Sequence, residues 1–260
     1  MRLFEFVISR VMEGGNIFKD AEGKIVTKDI KKVDIVPTLK WLESLTGLPL
    51  VNNTLGSVGK KPTSGDLDVA VDQTLTSKDD LVAKLSDWIK SQGEDPKLWI
   101  KKSGISVHFK TPIKGNPKNG FVQTDFMFGE DIEHMKFGLF SAGAASKFSG
   151  ADRNLLMSSV AKSLPGDYKY SWQKGLIKRS TNEPLSKNPD TIASVLLGKK
   201  FTGKDLESVE SIVTALRQDP KKLANIKKLA SDLRNTEGKK SGEVKSDAEE
   251  ADRIDRLLSA

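Results

Sequence analysis

Three aspartates and a glycine–serine pair are the residues of this 260-residue chain whose types and spacing could do chemistry. Eight residues separate Ser57 from the run Asp66-Leu67-Asp68-Val69-Ala70-Val71-Asp72. Strand side chains alternate between faces, so Asp66 and Asp68 share one face while Leu67, Val69 and Val71 take the other. Two carboxylates about 7 Å apart along a strand repel one another, and a divalent cation between them removes the repulsion. Gly56 lets backbone approach a phosphate, and the Ser57 N–H and hydroxyl can bind its oxygens. Phe121-Val122-Gln123-Thr124-Asp125-Phe126-Met127-Phe128 repeats the logic, with one carboxylate among apolar residues. If the two strands are neighbours, Asp125 completes a three-carboxylate cluster, the oxygen-rich arrangement of a two-metal phosphoryl-transfer site.

A helix is expected over 36–45 from the apolar face Val36, Leu39, Trp41, Leu42 and Leu45, with Pro37 in its first turn. Residues 2–12 read as a short helix and 48–55 lean towards β. The loop 56–65 leads into the strand 66–72. Ser77 to Asp80 opens a helix to about Lys90. Strands follow at 98–100, 105–109 and 121–128. The second half is mostly helical. Ser149 caps a helix that Pro165-Gly166 stops, 170–178 is extended, and three amphipathic helices begin near 188, 206 and 219. Residues 236–251 have few apolar side chains and read as a mobile linker before a short helix at 253–258. The expected organisation is an N-terminal extension 1–29, a mixed-sheet catalytic domain 30–130, a mainly helical domain 131–235 that closes over substrate, and a mobile charged tail 236–260. The fold class is α+β.

Composition narrows the chemistry. There is no Cys and there are only two His, so thiolate and poly-His metal sites are excluded. Any metal is held mainly by oxygen, which favours Mg²⁺, Mn²⁺ or Ca²⁺. Forty-two Lys and Arg against 35 Asp and Glu leave a net charge of +7, which tends to attract polyanions. No run of about eighteen apolar residues is present. The start, Met1-Arg2-Leu3-Phe4-Glu5-Phe6, does not read as a secretory signal, so a cytoplasmic location is expected.

Leu55-Gly56-Ser57, Asp66-Leu67-Asp68 and Asp125 together resemble the nucleotidyltransferase superfamily named for DNA polymerase beta. Its pattern is a hydrophobic residue, Gly, Gly or Ser, a spacer, Asp-x-Asp, and a later single Asp on another strand. The match covers roughly 36–128. The wording of the loop is also similar to nucleotidyltransferases encoded by bacteriophages, which would place the chain in a host cytoplasm. The resemblance implies that Asp66 and Asp68 bind two Mg²⁺ or Mn²⁺ ions and that Asp125 binds the catalytic one and helps activate the acceptor hydroxyl. Ser57 would hold the triphosphate of an ATP-like nucleotide, with Gly56, Lys60 and Lys61 beside it.

Arg153, at a capped helix start, is a further candidate phosphate ligand. Lys147 shares that position. Asp72 reads as a turn residue and His108 as a packed or surface histidine. Tyr168, Tyr170 and Trp172 read as core before base-stacking platforms. Lys199, Lys200 and Lys204 beside Phe201 could meet nucleic acid.

The expected activity moves a nucleoside monophosphate from a triphosphate to an acceptor hydroxyl, releasing pyrophosphate. An RNA 3′ end, a small molecule and a protein side chain stay open as acceptors, and the basic charge tilts the choice towards RNA. Two alternatives stand beside it. One is a nucleic-acid-binding or virion-associated protein that keeps the fold without the chemistry. The other is a toxin-type nucleotidyltransferase acting on tRNA or protein.

Overall fold

A computed structural model describes residues 16–235 and 241–260, with the backbone alone for 241–245. The expected helix at 2–12 lies outside the described residues. The chain divides into two units. The first comprises the described residues up to Thr54 together with Lys61–Glu130. The second comprises Leu55–Lys60 and Asp131–Ala260.

Unit 1 contains β1 (Ile30–Lys31), α1 (Lys32–Thr46), β2 (Thr63–Ser64), β3 (Asp66–Asp72), α2 (Lys78–Ser91), β4 (Ile100–Ser103), β5 (Ser106–Pro112) and β6 (Phe121–Gly129). Four strands form one mixed sheet in the order β3-β6-β5-β4. β3 and β6 run parallel, while β6–β5 and β5–β4 are antiparallel. The small pair β1–β2 stands apart from it.

Alternation along the strands sorts the sheet into two faces. Leu67, Val69 and Val71 of β3, Val107 and Phe109 of β5, and Val122, Phe126 and Phe128 of β6 are buried together with Leu39 and Leu42 of α1 and Leu81, Leu85 and Ile89 of α2. Each such side chain contributes roughly 1.5–3 kcal/mol by leaving water. Trp41, Trp88 and Trp99 form an edge-on ladder against this face, with ring centroids 5.1 and 5.8 Å apart. Trp88 also meets Phe109 at 6.2 Å. The β5–β6 connection passes beneath Trp41 at Gly115, whose φ is 71°; a Cβ there would overlap the indole. The opposite face carries Asp66, Asp68, His108, Gln123 and Asp125.

Several local expectations shift. α1 starts at Lys32, four residues early, which leaves Pro37 inside the helix. The Lys32 N–H is held by the Pro62 carbonyl at 2.9 Å, and the Thr38 hydroxyl bonds the Asp34 carbonyl at 2.7 Å. Residues 48–55, expected to be extended, contain a single 3₁₀ turn at Val51–Asn53 and one bridge from Thr54 to Val69. The strand expected at 98–100 forms only from Ile100, because Pro96–Leu98 is a 3₁₀ turn capped by Asp95. α2 begins with a capping box between Ser77 and Asp80.

Unit 2 contains α3 (Ile132–Gly138), α4 (Gly150–Ser163), β7 (Tyr168–Ser171), β8 (Gly175–Lys178), β9 (Pro184–Ser186), α5 (Pro189–Leu196), α6 (Val209–Arg217), α7 (Pro220–Arg234) and α8 (Ser241–Leu258). Leu156 and Val160 of α4, Ile192 and Leu196 of α5, Ile212 and Leu216 of α6, and Ile226 of α7 share one core. The tail from 236, expected to be mobile but for a short helix at 253–258, is ordered over more of its length. From Ser241 it is helical, and Ala251, Ile254 and Leu257 are buried in the same core. α4 begins with a Ser149–Asp152 capping box. Arg253 and Arg256 of α8 reach the same Asp152 at 2.8 and 3.1 Å. No helix among the described residues is long and apolar enough to cross a membrane.

Candidate metal centre

The parallel register of β3 and β6 sets Asp66 opposite Gln123 and Asp68 opposite Asp125. Neighbouring strands lie about 4.8 Å apart, so two acids on the same face at the same height must meet. One carboxylate oxygen from each of Asp66, Asp68 and Asp125 lies within 4.8 Å of the other two. All three residues are half-buried. The Asp68 carboxyl is pushed well above the usual carboxylate range, first by burial and then by Asp66 and Asp125. A cation at this point would remove that penalty. The donor set is hard oxygen only, which fits Mg²⁺ or Mn²⁺.

Asp125 has two further neighbours. His108 on β5 pairs with it in the antiparallel register, and its Nδ1 lies 2.7 Å from Asp125 Oδ1. Gln123 donates from Nε2 to Asp125 Oδ2 at 3.2 Å. The Gln123 Oε1 accepts the Ile17 N–H at 2.9 Å. The Ile17 carbonyl in turn accepts from Lys101 Nζ at 2.6 Å. Alternation alone sets Gln123 and Asp125 on one face, while His108 reads from sequence as a packed or surface histidine. The signal that could have found it is the alternation of 106–112, where His108 is flanked by the buried Val107 and Phe109. The part played by Ile17 rests on a backbone group, to which side-chain patterns are blind.

The remaining candidates fall elsewhere. Gly56 has φ 58°, a left-handed conformation that suits glycine, and the Ser57 carbonyl accepts the Lys60 N–H at 3.0 Å in the same tight turn. Gly56, Ser57 and Lys60 group with unit 2, although sequence reading had placed them in the catalytic domain. The Lys60 ammonium donates to the Ser141 carbonyl at 2.6 Å and stands 3.9 Å above the Phe140 ring. Lys61 is exposed in unit 1.

Arg153 is only 2% exposed. Its Nε donates to the Leu206 carbonyl and its Nη1 to the Phe137 carbonyl at 3.0 Å. The guanidinium therefore braces the interior of unit 2, and burial lowers its pKa. Asp72 caps a turn, accepting from the Thr74 N–H and hydroxyl. The Lys147 N–H donates to Glu210 Oε1 at 3.1 Å. Tyr170 is buried in the unit 2 core, with Tyr168 partly buried against it. Trp172 is half-buried, and Lys199, Lys200 and Lys204 are exposed.

Comparison with protein-family models, with curated proteins and with solved structures finds no match to this chain.

Proposed function

We propose that unit 1 carries the metal site of a nucleotidyltransferase of the DNA polymerase beta type, moving a nucleoside monophosphate from a triphosphate to an acceptor hydroxyl. The observation that carries this reading is the convergence of Asp66, Asp68 and Asp125 within 4.8 Å on one sheet face. A structural role rarely calls for three carboxylates gathered where burial, and then their mutual repulsion, raises one of them. Asp66 and Asp68 would hold Mg²⁺ or Mn²⁺ from one strand and Asp125 from its neighbour. The metal, when bound, supplies neutralisation of phosphate charge and a lowered pKa for the acceptor hydroxyl.

The chain's own part is positional and basic. The rigid strand pair holds the carboxylates at fixed height, so the entropy of assembling the site is met at folding. Asp125 is the acid placed to take the acceptor proton as the acceptor oxygen bonds the α-phosphorus and the bond to the pyrophosphate oxygen breaks. The basic surface favours RNA as acceptor.

The test is incubation with each labelled triphosphate, Mg²⁺ or Mn²⁺, and total RNA and protein. Label transferred to RNA is the expected result. Transfer to a protein or a small molecule keeps the chemistry and changes the acceptor. No transfer under any condition, or undiminished transfer by the Asp66→Asn, Asp68→Asn double variant, sinks the reading.

A further inference from the structure

We propose that His108 and Gln123 are positioning residues that clamp Asp125 into the metal centre, with the Ile17 amide locking the clamp. This rests on the metal-site reading above and adds which side chains keep the third ligand in place. The geometry comes first. Asp125 and His108 side chains are 15% and 14% exposed, so neither is shielded by bulk water. A carboxylate that ligates a metal only accepts hydrogen bonds, so in the proposed clamp His108 Nδ1 is the donor. Each Asp125 oxygen thus has one protein donor, Nδ1–H at 2.7 Å on Oδ1 and the Gln123 amide at 3.2 Å on Oδ2. Each oxygen keeps a lone pair for a cation or an acceptor proton.

The clamp answers a physical problem. Three carboxylates this close repel, and a lone Asp125 would relieve the repulsion by turning towards solvent. Two donors from opposite sides hold the carboxylate plane against that turn. Gln123 can donate only if its amide is oriented, and the 2.9 Å bond from the Ile17 N–H to Oε1 orients it. Gln123 is 2% exposed, so that orientation is also enforced by packing. Ligand-orienting partners of this kind typically change metal affinity 10- to 100-fold when removed.

The test uses the full chain and Mn²⁺ alone, with free Mn²⁺ followed by electron paramagnetic resonance and melting measured in EDTA. His108→Ala is expected to weaken Mn²⁺ binding about 10- to 100-fold without lowering the melting temperature in EDTA. Two further variants identify the nitrogen. His108→Asn places an amide N–H near the position of Nδ1 and is expected to restore most of the affinity. His108→Gln places it near Nε2 and is expected to bind as weakly as His108→Ala. The Asn–Gln pair also keeps the test alive if the alanine variant fails to fold.

Wild-type affinity in His108→Ala and His108→Gln, or an Asn variant no better than Ala, overturns the clamp. Wild-type protein that takes up no Mn²⁺ overturns the metal-site reading and the clamp with it. Mn²⁺ binding with the expected variant order but no nucleotide transfer leaves the clamp standing and removes only the transferase chemistry.

Discussion

Asp68 and Asp152 are both acids drawn partly into the protein, and they are treated in opposite ways. Burial alone would raise Asp152, but hydrogen bonds from Arg253 and Ser149 outweigh it and its pKa falls below the ordinary value. Both of its oxygens are engaged: Oδ2 by the Ser149 N–H and hydroxyl, Oδ1 by Arg253 and Arg256. Asp68 is raised by burial, and Asp66 and Asp125 push it further the same way. One acid is satisfied by its neighbours and ties a helix start to a C-terminal helix. The other sits where like charges gather, which costs stability until something positive arrives. Perturbation in the unfavourable direction, kept in a well-packed sheet, is what the proposed metal site calls for and what a strut does not need.

The comparison breaks most sharply in activity. The Asp66→Asn, Asp68→Asn double variant is expected to lose nucleotide transfer by about 10³-fold or more, since metal charge stabilisation is worth several kcal/mol. Circular dichroism should show the fold intact. Next, Mn²⁺ should stabilise the wild-type chain by about 2.7 kcal/mol at a hundredfold excess over its dissociation constant. The double variant should show no such gain, and a thermal melt with and without metal checks both.

Asp152→Ala should act in reverse, costing about 2 kcal/mol in a urea melt while Mn²⁺ affinity stays unchanged. Most of that loss comes from the capping box, because Arg253 and Arg256 are about half exposed and such pairs are worth little. A wild-type melt for Asp152→Ala would falsify the strut assignment.

The smallest expected effect is in pH. Asp68 has a raised native pKa, so the metal-free native chain holds its proton more tightly than the unfolded chain. Stability then falls as pH rises from about 3.9 towards the raised native value. In EDTA, Asp68→Asn should therefore gain about 1 kcal/mol over wild type near neutral pH and little near pH 4. Asp152 runs the other way. Its contribution is present above the ordinary carboxylate value and is lost as pH falls through its lowered native pKa. Melting temperatures of Asp68→Asn, Asp152→Ala and wild type across pH 3–8, a span of about that width around the free carboxylate value, show whether the two trends oppose.

Much of unit 1 was legible because its signals are local. The run 66–72 alternates cleanly and forms β3 as read, and 121–128 forms β6 with one residue more. Ser77 and Ser149 announce their helices through side chains three residues on. The parallel pairing of Asp68 with Asp125 was reasoned only as a condition, since register between strands 57 residues apart depends on everything packed between them. His108 was undervalued for the same reason, as its partner is named by the sheet and not by its neighbours in sequence.

The loop 56–65 reads as part of the catalytic domain whose strand it precedes, yet its Lys60 finds its ring and carbonyl in unit 2. α8 is expected only over 253–258, twelve residues shorter at its start than the helix from Ser241, because the composition of 236–251 outweighs its period. Its apolar residues are few, but Ala251, Ile254, Leu257 and Leu258 fall on one helical stripe and are all buried. Arg153 had the right local address for a phosphate ligand; its burial is a tertiary fact.

The tryptophan ladder has an optical consequence. The chain has four tryptophans, and Trp41, Trp88 and Trp99 are stacked edge-on within unit 1 while Trp172 lies in unit 2. Indoles at 5–6 Å share excitation energy, so their emission and near-ultraviolet dichroism depend on the ladder staying assembled. Intrinsic fluorescence is thus a built-in reporter weighted towards the half of the molecule that holds the aspartates. A Trp172→Phe variant would make it report on that half alone.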